Sequence, residues 1–272
     1  HMLPLFEHLI GMEGLSFKPL DEFEIIRKRG SDELPGACVI NSVHKNHVTR
    51  NRFDLVDFAF ATLLDRQPDN DDERSYPEAP LGDRTIDTPY IVFPVGATNK
   101  ASTFVASLLE PLCVWALNNG LTPVLTGASK THVHTMVKGK PELLVMHDDV
   151  AAVSPSVLAE CIDMRDKTDL MQLRDLCGHA AAVCGIDGGT LHLAGTTQTN
   201  IVYGCTRVDA RHRGITRGGV RNAGVVHVSP RDLACAGCQS NWTLLFGHNF
   251  GNCGYGDFAC TKALHPDDFI DA

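Results

Sequence analysis

The sequence predicts an α/β protein built on a doubly wound parallel sheet of Rossmann type, and three observations carry that expectation. Short apolar runs recur at 90–95, 121–125, 183–187 and 200–204, each of a length that suits a buried strand. Segments with apolar residues at helical spacing lie between them, the alternation that builds parallel sheets. In residues 181–194, an apolar run ends at Asp187, Gly188 and Gly189 follow, and an apolar-periodic segment restarts at Leu191. That reads as strand, tight turn and helix start. Backbone N–H groups of such a turn face whatever lies beyond the strand's carboxyl end, and a helix N-terminus there favours an anion. An ordinary βα turn has the same pattern, so the two glycines alone do not identify a site.

Taken in order, residues 1–88 are the hardest part of the chain to read. Residues 24–26 and 37–41 are candidate strands, the second after a Pro35-Gly36 turn. Residues 53–64 carry Phe53, Val56, Phe60, Leu63 and Leu64 at helical spacing. Residues 66–87 are acidic, contain Pro68, Pro77 and Pro80, and show no periodicity; they read as an exposed linker with a domain boundary in it.

From Pro89 the pattern is regular. A strand over 90–95 leads into the loop 96–100, then into a helix with Phe104, Leu108, Leu112 and Trp115 on one face. Pro111 should kink or split that helix, because it has no N–H for the preceding turn, and Gly120 should end it. Strands follow at 121–125, closed by Thr126-Gly127, and at 142–146; a helix over 169–177 turns Leu170, Leu173 and Leu176 inward. The 183–187 strand, the His192 helix and a strand at 200–204 complete the series. The expected division is an abbreviated N-terminal lobe with its linker over 1–88, a Rossmann-like domain over 89–230, and a Cys-rich tail over 231–272 that packs back on the fold.

Composition narrows the function. With 43% hydrophobic and 21% charged residues in 272, the chain is that of a globular protein with room for a sizeable core. A net charge of −9 argues against broad binding to nucleic acid or anionic membrane, and residues 54–87 supply most of it, with ten acids against three arginines. No run of about eighteen apolar residues stands out, and no basic segment precedes an apolar one as in a secretory signal. A cytoplasmic protein is expected. His1-Met2 reads as a cloning remnant. Six of the ten cysteines (Cys38, Cys113, Cys161, Cys177, Cys184 and Cys205) are scattered, mostly in apolar runs, and read as reduced, buried thiols.

Three loops should lie beyond strand carboxyl ends, where open α/β sheets bind ligands: 96–100, 187–192 and 204–206. Lys100 is a fitting point charge for a diphosphate, or a solvated surface lysine. His192 could donate to a phosphate oxygen or be a core histidine bonded to backbone. Asp187 could bind a hydroxyl or cap the following helix through the Gly189 N–H.

These residues also carry a resemblance. Ile91-Val92-Phe93-Pro94-Val95-Gly96-Ala97-Thr98-Asn99-Lys100, followed by the helix and Thr122-Pro123-Val124-Leu125-Thr126-Gly127, resembles the opening of the C-terminal domain of the lipopolysaccharide heptosyltransferases. Asp166-Lys167-Thr168-Asp169-Leu170 resembles that family's G-K-T-S-L turn, and 185–194 its N-D-S-G-x-x-H-L-A signature. Tyr203-Gly204-Cys205-Thr206 stands where the family has F-G-P-T. Four motifs in order over residues 90–206 are far more specific than any one. The resemblance implies the two-lobed GT-B architecture, here with a small N-terminal α/β lobe. It implies a nucleotide-sugar donor, ADP-heptose-like, and inverting transfer of the sugar to an acceptor hydroxyl without a catalytic metal.

By the same resemblance Lys100 would contact the diphosphate, and the Gly188 and Gly189 amides would cradle phosphate. Asp187 and His192 would flank the donor sugar, the Thr168 backbone would face the base, and Gly96 and Thr206 complete the donor set. The dipole, the amides and the lysine would stabilise charge on the leaving diphosphate.

The tail extends the match. Cys235, Cys238, Cys253 and Cys260 give C-x2-C-x14-C-x6-C ahead of Leu264-His265-Pro266-Asp267-Asp268-Phe269, and many chains of that family end in a comparable cluster with a shorter middle gap. Four thiolates can hold a structural Zn or an iron centre; reduced cysteines or disulfides are the alternatives. Arg207, Arg211, Arg213, Arg217 and Arg221 form the one basic run, either a solvated surface loop or a loop over phosphates or an anionic acceptor. The acceptor is open among glycan, lipid-linked sugar, protein and nucleic acid, and a homo-oligomer is allowed.

The N-terminal lobe departs from the pattern. Family members open with a Gly-Asp turn whose Asp serves the acceptor hydroxyl, and no Gly-Asp occurs in the first eighty residues here. The general base is therefore unassigned, with Asp21, Glu22 and His8 candidates by chemistry alone. A non-catalytic nucleotide-sugar-binding protein, a degenerate transferase kept as a scaffold, is the competing expectation; an enzyme that modifies nucleic acid is a weaker third.

Overall fold

The computed structural model describes residues 75–76, 79–97, 100–137, 140–240, 253 and 255–272. The candidate strands at 24–26 and 37–41, the helix at 53–64, and His8, Asp21, Glu22 and Cys38 lie outside these residues. In chain order the elements are β1 (Tyr90–Pro94), α1 (Ala106–Asn118), β2 (Thr122–Thr126), β3 (Lys130–Val137), β4 (Lys140–His147), α2 (Pro155–Leu158), β5 (Ile162–Asp163), α3 (Leu170–Gly178), β6 (Ala182–Ile186), α4 (Gly189–Ala194), β7 (Asn200–Gly204), β8 (Thr216–Arg217), β9 (Val220–Arg221), β10 (Val225–Val228), α5 (Ala259–Lys262) and α6 (Pro266–Ile270).

Six strands form one sheet in the order β10-β7-β6-β1-β2-β5, and every neighbouring pair is parallel. The described strands begin in the middle at β1, run outward through β2 to β5, then return to β6 on the other side and run outward again. The strand order therefore reverses between β1 and β6, which pair through Ile91↔Ala182 and Val92↔Val183. In open α/β sheets that switch point is where a crevice opens beyond the strand ends. The expected doubly wound parallel sheet is present.

Two expectations change. The strand at 142–146 exists, but as part of β4, which pairs antiparallel with β3 in a separate ribbon; the short β5 takes the edge of the main sheet instead. Pro111 does not split α1, which is continuous from Ala106 to Asn118. Ser107, whose carbonyl loses its partner to the proline, and Pro111 itself are both exposed, so water can take the lost bond.

The segment Lys100–Asn118 is long and apolar enough to cross a membrane by length and composition, a run the sequence reading did not pick out. Here it is a core element, half of it buried, with Leu108, Leu109, Leu112 and Cys113 packed on the sheet. At α3, Asp169 caps the helix in a reciprocal box: it accepts from the Gln172 N–H at 2.8 Å, and the Gln172 side chain accepts from the Asp169 N–H at 3.0 Å.

Each sheet face buries its own core. On one face Phe93, Phe104, Leu108, Leu112, Leu125 and Ile186 pack with Phe269 of α6. On the other, Tyr90, Val92, Val124 and Val183 pack under Leu173 and Leu176 of α3 and Leu191 of α4. A cavity of about 550 Å³ lies on the α1 face, lined by Ile91, Trp115, Cys184, Val202, Val226 and Phe269 among others. None of the residues lining it belongs to the loops after β1, β6 or β7.

The segment ahead of β1 runs exposed over residues 80–85 yet is fastened to the α3–α4 face. Arg174, wholly buried, donates to the carbonyls of Ala79 and Pro80, the latter at 3.1 Å, and to Thr196 Oγ1 at 3.2 Å. His179 Nε2 donates to the Gly82 carbonyl at 2.8 Å.

The arginine run is divided: Arg211 and Arg221 are exposed, as in a solvated loop, while two of its members turn inward. Arg213 and Arg217 are buried at 5% and 3% exposure, and Arg217 donates to the carbonyls of Ala194, Gly195, Thr199 and Ala223. Carbonyls at the end of α4 and in its connection to β7 are thereby satisfied. Exposed Arg211 pairs with Asp209 at 2.9 Å.

Candidate functional site

The loops that follow β1, β6 and β7 converge at the switch point. After β1, Gly96 lies against the loop that follows β2: a Cβ there would come within 2.1 Å of the Ala128 carbonyl oxygen, so only glycine lets the two backbones approach. Lys100 is exposed and opens a 3-10 turn, Lys100–Ser102. After β7, Thr206 is fully buried and its Oγ1 donates to the Ala101 carbonyl at 2.6 Å, pinning that turn to the adjoining loop. Lys100 and Thr206 are thus brought together through Ala101.

After β6 comes the glycine turn. Gly188 is the N-cap of α4 with φ −170°, an extended backbone any residue adopts. A Cβ on Gly189 would meet nothing within 4 Å. A Cβ on Gly188 would press to 3.3 Å on the Ile186 carbonyl oxygen, so packing favours glycine at 188 but does not demand it at 189. A bare backbone here leaves the amides open to whatever occupies the crevice. Thr168 stands apart, half-buried ahead of α3 after β5. That strand is two positions from β1, or about 10 Å across the sheet.

Asp187 does not cap α4. Its carboxylate is 8% exposed and accepts from Tyr203 Oη at 2.6 Å and from Arg213 Nε at 3.2 and 3.3 Å. Burial opposes its charge, but the Arg213 charge, the Tyr203 hydrogen bond and the Arg207 charge outweigh burial and hold the carboxyl below its ordinary range. Burial first, and then the Asp187 charge, push the Tyr203 phenol well above its usual value, so it is a neutral donor. His192 has partners at both ring nitrogens: Tyr203 Oη at 3.1 Å from Nε2 and Tyr76 Oη at 2.8 Å from Nδ1. Its Nε2 lies 4.0 Å from the Asp187 carboxylate.

The sequence reading singled out Asp187 and His192 but not what joins them. Tyr203 was visible, standing where the family pattern has Phe, and its hydroxyl is the added group. Arg213 was hidden in the basic run and Tyr76 in the linker.

The class of fold is plain from this geometry: a Rossmann-type lobe of the GT-B kind, with its crevice at the β1/β6 switch. The particular likeness is to TibC, described as a bacterial iron-containing dodecameric glycosyltransferase from enterotoxigenic E. coli. The two share 17% identity at a TM-score of 0.56, over 80% of this chain and 52% of TibC. A second structure, of the dodecameric iron-containing heptosyltransferase TibC in complex with ADP-D-β-D-heptose, matches with 16% identity at a TM-score of 0.57, over 81% of this chain and 53% of that one. The fold is that of the heptosyltransferase-like glycosyltransferases, and the chain spans about half the length of the structures it matches. No protein-family profile matches the sequence, and no curated protein does.

All nine described cysteines are free thiols; Cys113, Cys177, Cys184 and Cys205 are buried and Cys161 half-buried. In the tail, Cys238 and Cys260 are buried, Cys235 and Cys253 half-buried. The four share one neighbourhood: burial, and then the Cys238, Cys235 and Cys253 thiols, push Cys260 up to about 11. Burial pushes Cys235 and Cys238 up as well, and sulfurs that resist becoming thiolates are donors that a soft cation would relieve. The chemistry fits a structural metal, but among the described residues no three His, Cys, Asp or Glu side chains are grouped to hold one.

Proposed function

We propose that residues 90–228 form the donor-binding lobe of a cytoplasmic, inverting glycosyltransferase whose donor is an ADP-heptose-like nucleotide sugar. The observation that carries the reading is the shared fold with TibC, one of whose structures holds ADP-D-β-D-heptose. The open amides at Gly188 and Gly189 and the exposed Lys100 across the switch point support it. In this reading the acceptor hydroxyl gives up its proton to a base outside the donor-binding set, its oxygen attacks the anomeric carbon, the bond to the nucleoside diphosphate breaks, and the leaving oxygen gains negative charge. Lys100 and the two amides meet that charge, so the chemistry at the phosphate needs no metal. Gly96 and Thr206 shape the opposite wall, Asp187 and His192 flank the sugar, and the Thr168 backbone faces the base. Cys235, Cys238, Cys253 and Cys260 would hold a structural Zn or Fe that fastens the tail, with four sulfurs leaving no open position for catalysis. The acceptor is a glycan, lipid-linked sugar, protein or nucleic acid, and the working form is a homo-oligomer.

Thermal-shift screening with ADP-, GDP- and UDP-sugars tests the donor. Saturation at about a hundred times Kd should stabilise the fold by about 2.7 kcal/mol. ADP-sugars should give the shift, and Lys100→Ala should lose it together with release of nucleoside diphosphate. No shift with any of the three would sink the reading. Elemental analysis of protein purified without chelator should find one Zn or Fe per chain, and its absence would end the metal assignment.

A further inference from the structure

Tyr76 belongs to the segment ahead of the sheet, 116 positions before His192, yet the two side chains meet at 2.8 Å. The tyrosine is placed with care. Its backbone N–H donates to the Thr216 carbonyl at 2.8 Å, and the preceding Ser75 Oγ accepts from the Gly219 N–H at 2.8 Å. Its ring lies nearly parallel to the imidazole, with centroids 6.1 Å apart and planes at 26°. Gly195 makes room for it: a Cβ there would come within 2.8 Å of the Tyr76 ring. Arg174 holds the next stretch of the segment through the Ala79 and Pro80 carbonyls.

For a neutral imidazole, elementary donor counting sets the direction of the chain that passes through the ring. The Asp187 carboxylate only accepts, so the single Tyr203 proton points at it over 2.6 Å. The Tyr203 oxygen must then accept from His192, which places a proton on Nε2. In the neutral ring that leaves a lone pair on Nδ1, and Tyr76 Oη donates to it.

We infer that Tyr76 is a positioning residue for His192: with Tyr203 it holds the imidazole as the Nε2–H tautomer, stacked and oriented beside the glycine turn, so that docking of the segment ahead of the sheet and setting of His192 are one event. What the set imidazole serves rests on the donor reading above; its tautomer and orientation do not. Two tyrosines acting on opposite nitrogens leave the ring no rotation that keeps both bonds. The histidine therefore becomes a fixed part of the crevice wall in place of a free surface group.

Long-range ¹H–¹⁵N spectra of histidine-labelled protein, with His192→Gln to assign the ring, decide the matter. Wild type should show His192 with a protonated Nε2 and a hydrogen-bonded, unprotonated Nδ1. Tyr76→Phe keeps the aromatic ring and should move the Nδ1 line toward that of a bare imine nitrogen. Tyr203→Phe should change the tautomer ratio about fivefold toward Nδ1–H, the equivalent of one neutral hydrogen bond. A protonated Nδ1 with a bare Nε2 in wild type, or a Tyr76→Phe spectrum that superimposes on wild type, would overturn the assignment. Adding ADP to the wild type asks the separate question: displaced His192 lines support the donor reading, and unmoved lines count against that reading while the tyrosine comparison still decides the positioning.

Discussion

The two faces of the central sheet are held by different means. On the α1 face the buried cluster is chiefly hydrocarbon and aromatic, with Phe93, Phe104, Leu108, Leu112, Leu125 and Phe269 beside the Cys113 and Cys184 thiols. On the α3–α4 face a comparable apolar layer shares its space with Arg174, Arg213, Arg217 and Asp187, all buried, and with the Tyr203 and Tyr90 hydroxyls. Apolar packing loses stability in proportion to what is removed. A buried pair loses far more when one partner goes than when both go, because the survivor is left uncompensated. The face that carries the candidate site is therefore the one in which single substitutions are most dangerous and matched pairs least so.

That contrast can be broken from either side. The largest effect should come from Arg213→Met, which strands the Asp187 carboxylate and should cost about 3–5 kcal/mol in urea unfolding. Adding Asp187→Leu should recover most of it; if the double variant is as unstable as the single, the pair is not what holds this face. Leu108→Ala on the apolar face should cost about 3 kcal/mol, and no neighbouring substitution that merely removes a polar group should restore it.

The pH dependence should separate the faces as well. The Asp187 pKa is depressed in the fold below its ordinary 3.8, so its contribution is complete above 3.8 and is lost as pH falls through the lower, folded value. Leu108→Ala should keep the wild-type acid slope at reduced stability, while Asp187→Leu/Arg213→Met should flatten it. Persistence of the slope in the double variant would assign it elsewhere. The smallest effect should be Tyr203→Phe, about 1.5 kcal/mol for one hydrogen bond to a charged acceptor, read from the shift in denaturation midpoint.

The same contrast explains what could be read from the chain. Hydrophobic period encodes the α1 face directly: Phe104, Leu108 and Leu112 recur every four positions, and the helix follows. It also encodes β1, β2, β6 and β7, and the glycine turn after β6. It does not encode partners for charge. Arg213 and Arg217 look like any basic surface run, because burial of a guanidinium is decided by carbonyls and a carboxylate brought in from elsewhere in the chain. The ribbon of β3 and β4 was half-read for a related reason. Its first strand alternates Thr131, Val133, Thr135 and Val137, a period-two signal, but the expectation of βαβ units absorbed only the second. Within the candidate site, Lys100, Asp187, Gly188, Gly189 and His192 announced themselves through loop position. Tyr76 could not, because nothing within a linker's own composition says that it will cross a histidine 116 positions later.

The fastening of the 75–84 segment has a consequence for how the protein is made. Ser75 and Gly219 bond across 144 positions, so during synthesis the segment emerges long before its seat exists. At about 5–20 residues per second the wait is roughly 7–29 s. Through that interval the strand-like tyrosine stretch must neither aggregate nor fold prematurely against β1. Its acids and prolines suit a nascent chain that has to stay solvated and unpaired until β8 and β9 arrive to receive it. Slowing translation after residue 90 should then leave folding unharmed, whereas neutralising those acids should make the ribosome-bound intermediate, and not the finished protein, the species that precipitates.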